Sequence, residues 1–176
     1  MKLLRSPKLL ALSLLLLAGC EQQPRTNLSY EMGERVEIGP FVYVVVESAW
    51  RSELGEGFQT RGAKNRFLLL TISVTNSGGS EASVPMLSIE GSSGQLYQEL
   101  SDGTGLTNWL GVLRTAKPAE TLQGRILFDA PLGPYRLRVP DGGETGYEKY
   151  SWVTIPLSLD SSDVQAPLPQ QGPARR

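Results

Sequence analysis

The chain has no histidine and one cysteine in 176 residues. The first absence excludes a Ser-His-Asp triad, a Cys-His pair and any zinc or copper site built on imidazole. Acid-base or nucleophilic chemistry would fall to Asp, Glu, Lys, Tyr or Ser without imidazole. The second excludes an intrachain disulfide, so apolar packing must hold whatever fold forms. Clustered cations are missing too: 17 Lys plus Arg stand against 18 Asp plus Glu, with no long basic run. Nucleic acid and anionic headgroups both demand such clusters, so neither is an expected partner. Nor is there an apolar run long enough to span a bilayer. The best, Leu9 to Leu17 broken only by Ser13, would reach about 14 Å as a helix, against a hydrocarbon layer of about 30 Å. These absences point to a chain that is not an enzyme and holds no cofactor or metal.

What is present at the N-terminus is a secretory signal: Lys2, Arg5 and Lys8, then the apolar run, then small residues. Its end, Leu17-Ala18-Gly19-Cys20, resembles the lipobox of bacterial lipoproteins. That resemblance implies cleavage before Cys20, whose sulfur carries a diacylglyceryl group. The sole thiol is then unavailable for catalysis, and residues 20–176 become a tethered cargo. Two or more acyl chains such as palmitate anchor stably, at about 0.8 kcal/mol per buried CH₂. The residue after the cysteine is Glu21 rather than the aspartate that tends to retain lipoproteins at the inner membrane. The resemblance therefore implies the outer membrane, facing the periplasm, in a Gram-negative cell.

The remainder divides into three parts. Residues 20–32 read as the lipidated cysteine and a polar tether; about ten flexible residues span roughly 17 Å on average. Residues 33–159 read as one domain, and 160–176, with Pro167, Pro169 and Pro173 and no aromatics, as a disordered Pro/Gln-rich tail. The middle shows no helical spacing. It carries short β-branched and aromatic runs: Phe41 to Trp50, Phe67 to Thr75, Thr121 to Asp129, Tyr135 to Val139 and Tyr147 to Leu159. In Tyr135-Arg136-Leu137-Arg138-Val139 apolar and basic residues alternate, as a half-buried strand requires. Leu68, Leu70, Ile72 and Val74 share one face; Leu122, Gly124, Ile126 and Phe128 share another. Turn residues at Asn76-Ser77-Gly78-Gly79 and Gly91-Ser92-Ser93-Gly94 separate further, weaker strands. Pro85 marks an edge or a bulge. About seven or eight strands in this pattern predict an all-β, immunoglobulin-like antiparallel sandwich.

Two segments carry a resemblance: Arg66 to Gly78, and Lys117 to Pro131 with its Pro118-Ala119-Glu120-Thr121 and Gly124-Arg125-Ile126-Leu127-Phe128-Asp129-Ala130-Pro131. Together they resemble the bacterial secreted and lipoprotein domains of unknown function that adopt an immunoglobulin-like sandwich. The resemblance covers roughly Gly33 to Leu159. It implies strands and turns and transfers no catalytic motif. Asn76 within it reads as a turn former tolerant of left-handed backbone.

Candidate binding residues are aromatics with a polar handle: Trp109 in the Ser101 to Leu113 loop, and Tyr147 and Tyr150 beside the last strand. Trp50 and Trp152, being in strands, read as core. Phe58 stands among polar neighbours in a second irregular segment, Arg51 to Lys64, where it either binds or plugs the core edge. Asp102 and Asp141-Gly142-Gly143-Glu144 lack the spacing of a calcium loop and read as solvated turns. The sequence thus favours a lipid-anchored, non-enzymatic module whose partner is an envelope protein. The alternative is a glycan or peptidoglycan binder using Trp109 or the Tyr147-Tyr150 region, and a remote one is a hydrolase with paired carboxylates. Fractionation of cells tests the anchor: wild type is expected with membranes and Cys20→Ala in the soluble fraction. If both are soluble, there is no anchor.

Overall fold

The computed structural model describes residues 28–144 and 147–158. The expected signal at 1–19, the expected lipidation site Cys20 with Leu17, Ala18 and Gly19, and the expected tail at 160–176 lie outside these residues. The described chain contains eleven strands: β1 (Ser29–Glu31), β2 (Val36–Ile38), β3 (Phe41–Leu54), β4 (Arg61–Asn76), β5 (Ala82–Val84), β6 (Ser88–Gly91), β7 (Leu96–Gln98), β8 (Arg114–Ala116), β9 (Thr121–Ala130), β10 (Tyr135–Pro140) and β11 (Tyr150–Ile155). They form a five-stranded sheet ordered β1-β11-β10-β6-β7, a four-stranded sheet ordered β2-β3-β4-β9, and the pair β5-β8. Pairing is antiparallel except between β1 and β11, where Ser29 faces Trp152 and Glu31 faces Thr154.

This is the sandwich that the alternation predicts. Tyr43, Trp50, Leu68, Leu70, Ile72, Ile126, Phe128, Leu137, Val139 and Val153 form one core between the sheets. The strand count exceeds seven or eight because five strands have only three residues, too short to leave a periodic signal. β1 begins the domain four residues before Gly33, since Tyr30 and Met32 also pack on the core. Pro85 stands where the stretch between the two expected turns, Asn76 to Gly79 and Gly91 to Gly94, splits into two strands. β5 before it forms a separate pair with β8, and β6 after it joins the five-stranded sheet. Tyr135, at the start of β10, donates to the Pro131 carbonyl at 2.6 Å and pins the β9–β10 turn much as a tyrosine corner does.

Most of Arg51 to Lys64 is not irregular. β3 runs on to Leu54 and β4 starts at Arg61, so only Gly55 to Thr60 turn. Phe58, in a short 3-10 turn there, is fully exposed and plugs nothing. β3 is an edge strand over most of its length, because β2 covers only Phe41 to Tyr43. Register shifts between Val45 and Glu47 and between Arg51 and Glu53, with three charged residues, blunt that edge against strand addition.

Asn76 departs most from its expected role. It ends β4 in ordinary backbone geometry, is fully buried, and donates its side-chain amide to the carbonyls of Ser80 and Ala116, both at 2.8 Å. Its Oδ1 accepts from Gly78 N–H at 2.9 Å. One side chain therefore ties the β4–β5 turn to β8. Asn76→Ala leaves these groups without partners, and urea unfolding should register a loss of about 2–4 kcal/mol.

Candidate functional site

β4 presents apolar residues on both faces. Leu68 and Leu70 point into the core, while Phe67 and Leu69 point away from it and are nevertheless buried. Their cover is a second apolar cluster of Leu54, Phe67, Leu69 and Leu127, with Ala49, Ala63, Leu100 and Leu106 around it. Leu100 and Leu106 come from the segment between β7 and β8, which folds back over the outer face of the four-stranded sheet. The signal was legible in Phe67-Leu68-Leu69-Leu70: an unbroken apolar run means a strand covered on both sides.

An ion pair closes the ends of that segment. Arg114 Nη2 lies 2.6 Å from both Glu99 carboxylate oxygens, and both side chains are fully buried. Leu87 N–H adds a third bond to Glu99 at 3.0 Å. Burial pushes the Glu99 carboxyl above its ordinary value, outweighing the opposing pull of Arg114 and the Leu87 amide. The Arg114 Nε and Nη1 groups have no partner among the described residues. Further contacts fix the middle. Leu110 N–H bonds the Arg125 carbonyl and Arg125 N–H the Asn108 carbonyl, at 2.9 and 2.8 Å. Arg61 grips Asp102 through its carboxylate at 2.9 Å and its carbonyl at 2.7 Å. The Thr104 amide and side chain hold the exposed Asp102 carboxyl below its ordinary value, with Arg61 a smaller cause. Gly105, at φ +81, sits so close to the end of β3 that a Cβ would fall 2.8 Å from Gly55 N.

Between this segment and β3 lies an open cleft of about 470 Å³, lined by Arg51, Glu53, Leu54, Leu69, Leu106, Thr107 and Arg125 among others. A second recess of about 370 Å³ continues past Glu47, Thr71, Trp109 and Arg125. Across the strands Glu47, Thr71 and Arg125 stand in one row. Thr71 Oγ1 lies 3.4 Å from Glu47, and Arg125 donates to Thr107 Oγ1 at 3.1 Å. The surface thus has an apolar floor and a rim bearing both signs of charge. Among the described residues no cluster of three or more acidic side chains is placed to hold a metal ion.

The two irregular segments of the sequence meet here, but the candidate aromatics do not. Trp109 borders the recess with one ring face against Gly103, where a Cβ would lie 2.1 Å from Cδ2. That face is closed to a stacked sugar ring. Phe58 projects from the β3–β4 turn. Tyr147 is exposed at the opposite end of the sandwich, between β10 and β11. Tyr150 lies beneath Arg138 at 4.1 Å and edge-on to Trp152. Trp50 is in the core as expected. Trp152 is buried on the outer face of the five-stranded sheet instead, stacked under Arg136 at 4.6 Å. Its even spacing from Tyr150 placed it there, since Ser151, Val153 and Ile155 point inward.

Residues 30–146, two thirds of the chain, match the family described as Domain of unknown function (DUF4352), and the chain belongs to that family. No curated protein matches the sequence. Among solved structures it is similar to MPT63, a secreted protein of Mycobacterium tuberculosis, with 14% identity and a TM-score of 0.55 over 74% of this chain and 99% of that one. YjhA of Bacillus subtilis gives 13% and 0.53 over 70% and 98%. YcdA, a candidate lipoprotein of the same organism, gives 12% and 0.54 over 70% of this chain but 38% of its own. These likenesses share the β-sandwich fold. No helix among the described residues is long and apolar enough to cross a membrane.

Two substitutions test how the cleft is built. Gly103→Ala must displace the indole of Trp109; stability should fall by about 1–3 kcal/mol, and acrylamide should quench tryptophan fluorescence more strongly than in wild type. Arg114→Ala strands a buried carboxylate and should cost about 3–5 kcal/mol, whereas Glu99→Leu with Arg114→Met should recover most of it. The pH dependence has a definite sign. A carboxyl raised on folding adds stability below its ordinary value of 4.5 and loses it as pH climbs through the folded value. The wild type should therefore weaken relative to the double variant as pH rises from about 4.5, read by urea unfolding at each pH.

Proposed function

We propose that this is a lipid-anchored, non-enzymatic protein of the bacterial cell envelope whose sandwich acts as an interaction module, and that its partner protein docks at the cleft between β3 and the Leu100–Leu113 segment. The observation that carries this reading is the cleft itself: Leu54, Leu69 and Leu106 supply an apolar centre, and Arg51, Glu53 and Arg125 a charged rim. Apolar centre and polar rim are the anatomy of a protein interface. Both signs of charge on the rim favour a partner with complementary polar groups over a polyanion. The alternative of catalysis draws no support from Glu99, whose carboxyl is engaged by Arg114 and lines neither recess. For the glycan alternative, Gly103 occupies one face of the Trp109 ring, while Tyr147 stands exposed at the other end of the sandwich.

The test is site-directed photocrosslinking in cells. A crosslinking residue at Thr107 on the cleft should capture one recurrent envelope protein, and one at Thr154 on the opposite sheet should not. Equal capture at both positions, or recovery only of abundant lipoproteins and porins, would overturn the reading.

A further inference from the structure

The fold has two distinct ends, and the N-terminal chain enters at one of them. β11 begins at Tyr150 opposite Pro140, whose carbonyl accepts from the Tyr43 hydroxyl at 3.0 Å near the start of β3. β1 runs parallel to β11, and Trp152 N–H bonds the Leu28 carbonyl at 3.0 Å. Leu28, the first described residue, therefore stands at the end where β3 starts. Four turns gather there. Ser77 N–H bonds the Pro40 carbonyl, Asn76 N–H bonds the Glu120 carbonyl, and Gly39 packs against Asp141. The β3–β4 turn with Phe58, and with it the mouth of the cleft beside Leu54 and Gly55, belongs to the other end.

Lengths make this asymmetry matter. The fourteen residues of β3 extend about 45 Å. The residues between Cys20 and Leu28 span at most about 25 Å when fully stretched, so an anchor at Cys20 holds the entry end closer to its membrane. The surface at that end suits contact with a bilayer. Tyr147 projects from it, 86% exposed, and tyrosine is enriched at membrane interfaces because its ring is apolar and its hydroxyl wet. Of the carboxylates nearby, Asp141 accepts from the Gly143 and Lys149 amides and Glu148 pairs with Arg138 at 2.7 Å, while Glu120, which accepts from the Lys117 amide, and Glu144 stay exposed beside Lys117 and Lys149. Phe58 is the rival contact, being fully exposed, but it lies at the far end, two residues after Glu56 in a turn that also follows Glu53.

We propose that the end of the sandwich formed by Pro40, Ser77–Ser80, Lys117–Glu120 and Tyr147–Lys149 rests on the lipid surface that holds Cys20, with Tyr147 at the interface, and that the cleft faces away from that membrane. This rests on the reading that Cys20 is lipidated. It confines the partner of the cleft to groups standing roughly one domain length, about 45 Å, from the anchoring bilayer.

Because Cys20 is the only cysteine and would carry the lipid, an introduced cysteine is the sole free thiol of the mature protein. Lys149→Cys and Phe58→Cys, each labelled with bimane, are reconstituted as lipidated protein in phosphatidylethanolamine and phosphatidylglycerol vesicles containing a nitroxide lipid. Flotation is scored first: protein that does not float with the vesicles removes the anchor and the proposal with it. For floating protein, the label at 149 should be quenched and the label at 58 should stay at its nitroxide-free intensity. Adding Tyr147→Ser to Lys149→Cys should reduce the quenching. Equal quenching at both positions, quenching at 58 alone, or no effect of Tyr147→Ser would overturn the orientation while leaving the anchor intact.

Discussion

β4 is the central constraint of this fold, because it cannot be satisfied by one sandwich core. A strand with apolar residues on alternate positions needs one covered face; Phe67-Leu68-Leu69-Leu70 needs two. The inner face is met by the facing sheet. The outer face is covered by no sheet among the described residues, and the segment after β7 returns across it and contributes Leu100 and Leu106. The position of that segment, the cleft it leaves beside β3, and the row of Glu47, Thr71 and Arg125 beyond its edge all follow from this need.

Covering the outer face brings a charge inside. The returning segment starts at Glu99 and ends at Arg114, and both are sealed from water as a pair. A buried ion pair contributes little net stability compared with apolar residues of similar volume, yet it is costly to break in half. What the pair does here is tie the two ends of the segment to each other. Asn76 plays the uncharged version of this part at the β4–β5 turn. Between them, these polar groups hold in place the loops that apolar packing alone would leave interchangeable.

Membership of the DUF4352 family and likeness to secreted sandwiches agree with the fold and leave the role of the cleft to its own chemistry. A sandwich scaffold hosts many functions, and the site decides among them. Here the site is a shallow apolar floor with a mixed-charge rim, built on an outer sheet face by a loop tied down at both ends. The entry of the chain at the opposite end of the sandwich gives that site a direction as well as a shape.

Much was legible in the residues alone. The long strands, the inward face of β10 and the sandwich class came from alternation, because period-two burial depends only on neighbours along the chain. The chemistry excluded by missing histidine likewise needs no three-dimensional information, and the resemblance of Leu17 to Cys20 to a lipobox is a matter of sequence alone. The three-residue strands, the split at Pro85, the buried side of Asn76 and the pairing of Glu99 with Arg114 were decided by the tertiary structure. Each depends on partners distant in sequence, and a polar residue looks the same in sequence whether its partner is water or a buried backbone carbonyl. Phe58 and Trp109 show the same limit in reverse. Their sequence surroundings are alike, yet one projects into solvent and the other lies against Gly103, because only the fold brings a glycine face up to one of the two rings.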